Sequence, residues 1–371
     1  MRRLPSLALA LALAGCSSYL SVAPQGHVAD DVRDGIETHE WVFRGARDFW
    51  LFGRSWRPST DASAVLVIVH GLRDHSARYD DFATGLAQRG FAVYALDHRG
   101  HGRSDGRGQM VDAFDDYVTD LDTLVAEARR REPGRPVFVL GHSMGGAIAT
   151  LWVEMRQPEI AGLILSAPAL RHHVGDVDHA FLDLTSVLFP YVGVLSLDET
   201  QFSRDPEVLA ELQRDPLVHH ESGPARTAAE LLAAIGRARG WMDGIHAPIL
   251  VVHGDADLVT MPEGSEDLIA HATGAPDRTI WRCAEMRHDL LHEPEHGALG
   301  DAIYGWMVSR REGARPWLHA APPDPCRDAT PAELIPPAPA APAPPPASES
   351  VPAAPTSAPE PGPRTSGGEA G

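Results

Sequence analysis

The segment FVLGHSMGGAIATLW, residues 138–152, passes from a strand pattern into a helix pattern across Gly141-His142-Ser143-Met144-Gly145. Alone, Gly-x-Ser-x-Gly is a weak signal, but between an apolar strand and a helix it becomes a strong one. A serine on a tight strand-to-helix turn stands clear of the sheet, and the small flanking residues let the backbone bend there. The helix N-terminus adds partial positive charge where an oxyanion would form. Ser143 is the candidate nucleophile.

A serine hydroxyl is a poor nucleophile at neutral pH and needs a histidine base, itself oriented by an acid. After an elbow of this kind the acid follows first and the histidine second. HGDADLVTMPEG, residues 253–264, places Asp255 and Asp257 just past a strand, and spacing does not choose between them. MRHDLLH, residues 286–292, then offers His288 and His292 behind the strand-like RTIWRC. Those two histidines, with Asp289 behind the first, also fit a helical zinc site, with Glu312 as a third ligand. Against zinc stand an aspartate one methylene shorter than the usual glutamate, a nearby Pro294, and a serine elbow left without a role. Upstream, VIVHGLRDHSARYDDFA, residues 67–83, sets His70-Gly71-Leu72 at a strand end, where a backbone N–H could complete an oxyanion hole with that of Met144.

Outward from these motifs, apolar β-rich runs recur between helical segments: AVLVIVHG (64–71), FAVYALD (91–97), PVFVLG (136–141), AGLILSAP (161–168) and APILVVHGD (247–255). Near-continuous apolar strands suit a mostly parallel sheet with helices on both faces, an α/β fold. FDDYVTDLDTLVAEARRR (114–131) carries acids early and arginines late, as a helix dipole favours, before Pro133 and Gly134. Roughly 80 residues separate the last two strands, far more than a simple crossover needs. Within that insertion, HAFLDLTSVLFPYVGVLSL is apolar with Pro190 as a kink, and PEVLAELQRD and RTAAELLAAIGRARG have amphipathic helix patterns. The expectation is a helical cap at about 169–246, over an active site; extra core helices are the alternative.

Taken together, HGLRDHSARY, YALDHRGHGRSDG, GHSMGG, SRDP with DPL in the cap, HGDADLVT and HDLLHEP resemble the monoacylglycerol lipase and lysophospholipase family of α/β-hydrolases. The resemblance covers about residues 38–310. It implies Ser143 as nucleophile, Asp257 as acid, His288 as base, and the N–H groups of Leu72 and Met144 as oxyanion hole. His292 resembles a histidine that helps bind glycerol hydroxyls, with Asp74 and Arg78 as companions. The family usually has glutamate at the position of Asp74. For Asp255 turn capping is the expectation, and for His292 a surface position is the alternative. The paired histidines His172-His173 and His219-His220 lack acids or cysteines in register and are expected to be exposed. The implied activity is hydrolysis of monoacylglycerols to fatty acid and glycerol through an acyl-enzyme, with no metal or organic cofactor; a lysophospholipase or a general carboxylesterase or acyltransferase of the same fold is the alternative, and a non-catalytic anchored scaffold the remote one.

Composition sets the outer limits. The 371 residues, 43% of them apolar, can bury a substantial core. A net charge of -19 with no basic stripe argues against nucleic acid as a partner. MRRLPSLALALALAGCSS at the N-terminus has two arginines and an apolar run too short for the ~20 residues of a membrane span, so 1–15 reads as an export signal. Its end resembles a bacterial lipobox. That implies lipidation of Cys16 and anchoring in the cell envelope, with Ser17 compatible with the outer membrane; an ordinary cleaved signal is the alternative. Residues 16–37 form a linker, 38–319 the domain, and 320–371 a Pro/Ala-rich tail too poor in large apolar residues to fold. The tail's partner, if any, is not written in its composition. Cys283 and Cys326 remain, either as a disulfide stapling the start of the tail to the domain or as two free thiols.

Overall fold

The five apolar runs form the centre of one sheet in a computed structural model that describes residues 29–171, 176–311 and 321–331. In chain order the elements begin with β1 (Asp30–Arg33), β2 (Ile36–Arg44), β3 (Trp50–Pro58), β4 (Ala64–Val69), α1 (Asp80–Ala87), β5 (Phe91–Leu96) and α2 (Asp115–Arg131). They continue with β6 (Val137–His142), α3 (Met144–Arg156), β7 (Gly162–Ser166), α4 (Asp176–Leu188), β8 (Gly193–Leu195), α5 (Pro206–Arg214), β9 (Gly223–Pro224) and α6 (Ala225–Trp241). The last are β10 (Ile249–Gly254), α7 (Pro262–His271), β11 (Arg278–Cys283), α8 (His296–Val308) and β12 (Cys326–Asp328).

The main sheet has the order β1-β2-β3-β5-β4-β6-β7-β10-β11-β12. From β5 to β11 every pairing is parallel, while β1, β2 and β3 at one end and β12 at the other pair antiparallel. Strand alternation splits the core in two. Val65, Val67 and Val69 of β4 pack on one face with Leu121 and Leu124 of α2 and Ile148 and Leu151 of α3. Leu66 and Ile68 pack on the other with Leu86 of α1 and Ile303 and Trp306 of α8. This is the expected α/β-hydrolase fold. The chain leaves β4 toward β5 on one side and returns to β6 on the other, so loops at the carboxyl ends of β4 and β6 diverge and open a crevice there. His70-Gly71-Leu72 and Ser143 lie at those two ends.

Between β7 and β10 lies the insertion, built from α4, α5, α6 and the short antiparallel pair β8–β9, which has α5 in its connection. Pro190 is not a kink within a helix. α4 stops at Leu188, because proline both lacks an N–H and pushes its predecessor out of helical geometry, and the chain turns into β8.

Both domain boundaries move. The sheet starts at Asp30, inside the expected 16–37 linker; β1 is exposed throughout, so it carries no apolar pattern to announce it. Residues 321–331, assigned to the tail by composition, belong to the domain: β12 pairs with β11, and Cys326 is disulfide-bonded to Cys283 across a sequence separation of 43. Closing a loop of that size stabilises by about 4 kcal/mol on the chain-entropy model, which offsets the segment's lack of apolar burial. The signal 1–15, Cys16, His172-His173, Glu312 and residues 332–371 lie outside the described residues.

Candidate active site

Ser143 is the single residue between β6 and α3, with φ 54° and ψ −119°. A non-glycine residue there costs on the order of 1–3 kcal/mol and persists only if its surroundings enforce it. They do so through the backbone. The Ser143 N–H donates to Ser166 O at 3.0 Å, and its carbonyl accepts from the N–H groups of Gly146 (2.9 Å) and Ala169 (2.9 Å). The turn also needs Gly145, since a Cβ there would sit 2.0 Å from Val69 O in β4.

Asp257 lies in the loop after β10 and is nearly enclosed by donors. Its Oδ1 accepts from the N–H groups of Val259 (2.7 Å) and Thr260 (3.0 Å). Its Oδ2 accepts from Thr260 Oγ1 (2.8 Å), His288 Nδ1 (2.9 Å) and His253 Nε2 (3.1 Å). Burial pushes this carboxyl up, but His288 and His253 outweigh it and hold it well below the usual range. For His288 burial pulls the other way from the Asp257 carboxylate, and the carboxylate wins, so the imidazole stays above its ordinary value. With Nδ1 committed to Asp257, Nε2 is the nitrogen left for proton transfer. The ring lies between His142, the neighbour of Ser143, at 4.8 Å and Phe202 of the insertion at 5.7 Å between centroids. The insertion also grips the loop: Asp289 N–H donates to Phe202 O at 2.7 Å. His142, buried, is lowered to about 4 and stays neutral.

The loop after β4 passes directly over the nucleophile: a Cβ on Gly71 would come within 3.0 Å of Ser143 Cβ. His70 Nε2 accepts the His98 N–H (2.9 Å), so its Nδ1–H is the donor to Gly71 O (2.7 Å). Gly71 C=O and Leu72 N–H belong to one planar trans peptide and point in opposite directions. Holding the carbonyl on His70 therefore aims the Leu72 N–H away from it. Among the described residues, no acceptor takes up the N–H of Leu72 or of Met144.

Asp74, Arg78 and His292 come together, joined by Asp289. Arg78 donates to Asp74 Oδ1 (3.0 Å) and Asp289 Oδ2 (2.7 Å); His292 Nδ1 pairs with Asp289 Oδ1 (2.8 Å), and its Nε2 donates to Arg78 O (2.7 Å). Asp74 further accepts from Tyr79 Oη (2.8 Å), His75 N–H (2.8 Å) and Gly71 N–H (3.4 Å). Burial raises both carboxyls, yet Arg78 beside Asp74, and His292 with Arg78 beside Asp289, hold them well below the usual range. His292 is not a surface histidine; burial lowers it, but Asp289 keeps it above its ordinary value. Asp74 and His292 are saturated, so a hydroxyl reaches either only by displacing one of these bonds, while Arg78 keeps spare donors.

Among the described residues, which exclude Glu312, the helical zinc arrangement does not form. Residues 290–292 are one 3-10 turn, and the two imidazoles serve different carboxylates, Asp257 and Asp289. Asp255, expected as a turn cap, instead pairs with Arg282 and Arg327, each at 2.7 Å. In the insertion, His220 pairs with Glu199 (3.0 Å) and His219 with Glu221 (3.3 Å). The sequence named His70 only as part of its motif and gave no role to it, to His253, Thr260 or Tyr79, or to Asp289 as a structural partner. A signal existed for His253, which stands four residues before Asp257 at the head of HGDADLVT. For Tyr79 and Thr260, nothing short of the fold brings their hydroxyls onto these carboxylates.

Residues 60–295 match the hydrolase family described as serine aminopeptidase S33. Over 272 residues the chain is 37% identical to a monoacylglycerol lipase of Mycolicibacterium smegmatis, covering 73% of this chain and 97% of that protein. It is 30% identical to monoglyceride lipase of Homo sapiens over 247 residues, 66% of this chain and 81% of that protein. The solved structure of Paleococcus ferrophilus monoacylglycerol lipase superposes with a TM-score of 0.64 at 29% identity, over 70% of this chain and 99% of that one.

Proposed function

The chain belongs to the serine aminopeptidase S33 family of hydrolases, and we propose that it cleaves monoacylglycerols to fatty acid and glycerol through an acyl-enzyme on Ser143. The observation that carries this reading is the 2.9 Å bond between His288 Nδ1 and Asp257, formed beside a serine held at positive φ on the β6–α3 turn.

In the first half-reaction, Ser143 Oγ attacks the ester carbonyl as His288 Nε2 takes its proton. The imidazolium so formed is stabilised by Asp257, which is already ionised and fully hydrogen-bonded. The carbonyl oxygen, now an anion, is held by the N–H groups of Leu72 and Met144, each such donor being worth about 10²–10³ in rate. His288 returns the proton to the departing glycerol oxygen. Water, deprotonated by the same nitrogen, then attacks the acyl-enzyme; the bond from the acyl carbon to Ser143 Oγ breaks, His288 returns the proton to Oγ, and the fatty acid leaves. The insertion, whose Phe202 covers His288, shields the acyl chain from water. The alcohol end falls toward Arg78, which retains donors beyond its bonds to Asp74 and Asp289.

Fatty acid release from a long-chain monoacylglycerol and the matching lysophosphatidylcholine, with Ser143→Ala as blank, tests the reading. Serine-dependent release mainly from the monoacylglycerol supports it. Preference for the lysolipid makes the protein a lysophospholipase, activity on short esters alone a general carboxylesterase. A chain that a serine-directed phosphonate fails to label is a non-catalytic scaffold.

We further propose that Cys16 is lipidated and that the domain sits in the cell envelope, at the outer membrane. Supporting this are the signal MRRLPSLALALALAGCSS, a disulfide that suits an oxidising compartment, and a band of exposed apolar residues on α4 and the following turn, including Phe181, Leu184, Val187, Phe189 and Tyr191. Labelling of cells with a fatty acid, wild type against Cys16→Ser, checks it: label carried by the wild type and lost in Cys16→Ser supports the anchor, and a wild type that carries no label, or a variant that carries as much, rules it out.

A further inference from the structure

The segment 321–331 has no place in the mechanism above, yet it touches both loops that carry the acid and the base. We propose that it is a strap that positions Asp257 and His288, attached at the Cys283–Cys326 disulfide and at Arg327. The proposal rests on the serine hydrolase reading.

β11 is the last parallel strand, and β12 closes its edge in the register Arg282↔Arg327 and Cys283↔Cys326. His288 follows the end of β11, and Asp257 follows the end of β10 beside it. The two loops run backbone against backbone: Asp255 N–H donates to Cys283 O (2.9 Å), and Ala256 N–H donates to Met286 O (3.1 Å). They lie so close that a Cβ on Gly254 would fall 2.2 Å from Met286 O. The strap holds each of them. On the base side, Cys326 is bonded to Cys283, and Ala284 N–H donates to Pro325 O (3.3 Å). On the acid side, Arg327 donates to Asp255 Oδ2 at 2.7 Å, while Arg282 from β11 takes Oδ1 at the same distance. Further along, Ala329 N–H donates to Ile280 O (2.9 Å) and Thr330 Oγ1 accepts from Ile280 N–H (3.0 Å), which completes the edge.

Cys326 and Arg327 touch no reacting atom. Their effect runs through Cys283 and Asp255 to a hydrogen bond made across two loops, and displacement of such a pair by about 1 Å costs on the order of 10² in rate. Without the strap, β11 becomes an open edge, and the two loops keep their contacts with each other and with the insertion but lose their anchor on the sheet-edge side.

The test uses the full chain. Cys326→Ala and Arg327→Gln are compared with wild type for kcat and KM on a long-chain monoacylglycerol, at a temperature where circular dichroism shows each folded. The downfield imidazole N–H proton resonance of the His288–Asp257 bond, assigned by its loss in Asp257→Asn, is followed in parallel. Expected are a fall in kcat of about tenfold or more for Cys326→Ala and about threefold for Arg327→Gln at unchanged KM, with the resonance broadened or shifted. Reduction of wild type by a phosphine should reproduce Cys326→Ala and leave that variant unaffected. Wild-type kcat and an unchanged resonance in both variants, with only the melting temperature lowered, would make the strap a stabiliser and overturn the proposal. Absence of Ser143-dependent hydrolysis in wild type would count against the hydrolase reading alone, since the resonance reports loop positioning without turnover.

Discussion

Replacing Asp257 with asparagine keeps the side chain's volume and removes its charge, so it isolates what the carboxylate does. Oδ1 accepts two backbone N–H groups, from Val259 at 2.7 Å and Thr260 at 3.0 Å, so the amide oxygen takes that position. The amide nitrogen then stands where Oδ2 was, facing His288 Nδ1 at 2.9 Å and His253 Nε2 at 3.1 Å. An amide N–H only donates, so His288 Nδ1 must become an acceptor and its proton moves to Nε2. That is the nitrogen which has to receive the proton of Ser143. A tautomer error of this kind drops kcat by about 10⁴ in a serine protease, equivalent to about 5 kcal/mol of transition-state stabilisation. The expected result in steady-state monoacylglycerol hydrolysis is a kcat loss of about 10³–10⁴ with KM within a few-fold, and phosphonate labelling of Ser143 slowed in parallel. A loss below about tenfold would refute the argument. It would mean that another group orients His288, with Thr260 Oγ1, 3.4 Å from Nδ1, as the first candidate.

Because Asp257 keeps His288 above the ordinary histidine value of 6.5 and the base must be neutral, kcat/KM should fall as pH drops through a value above 6.5; an acid limb below that value contradicts the assignment. Asp289→Asn removes a carboxylate with only 3% of its side chain exposed from both Arg78 and His292, and should lower unfolding free energy in urea by about 3 kcal/mol, the low end for a broken buried pair because Arg78 keeps Asp74. The folded-state pKa of Asp289 is depressed, so its contribution is full above the unfolded value and the gap between wild type and variant should shrink as pH falls below about 4. Gly145→Ala drives a Cβ to 2.0 Å from Val69 O and must separate α3 from β4, at a cost of about 3 kcal/mol in thermal unfolding. Arg73, at φ 58° beside the oxyanion loop, reaches the insertion through Leu197 O (3.1 Å) and Glu221 O (3.0 Å). Arg73→Gly relieves the backbone but frees the insertion, so KM for a long-chain substrate should rise by about threefold or more while the protein stays folded by circular dichroism.

The parallel centre of the sheet was legible because strands covered on both faces are apolar along their whole length, as AVLVIV of β4 is; RTIWRC, which is β11 to the residue, has arginines at its two half-buried positions. β1 was not, since an exposed antiparallel edge strand needs only backbone pairing, which composition does not record. The same blindness placed residues 321–331 in the tail, where a disulfide and the edge pairing of β12 do what apolar burial does elsewhere. Pro190 shows a different limit: a proline in an apolar run signals interruption, and whether the helix bends or stops depends on what packs beyond it.

By itself the sequence determined the chemistry. Ser143 between a strand and a helix, an acid past β10 and a histidine past β11 follow from local pattern and chain order, because each sits at an element's end and element ends are set by short-range preferences. Spacing left Asp255 and Asp257 open, and the family resemblance alone pointed to Asp257; where the Leu72 N–H points, and how Asp74, Arg78, Asp289 and His292 share their bonds, were decided only by the tertiary structure. Those are questions of direction and of competition among donors for a limited number of acceptors, and such competition exists only once residues distant in the chain have been packed side by side.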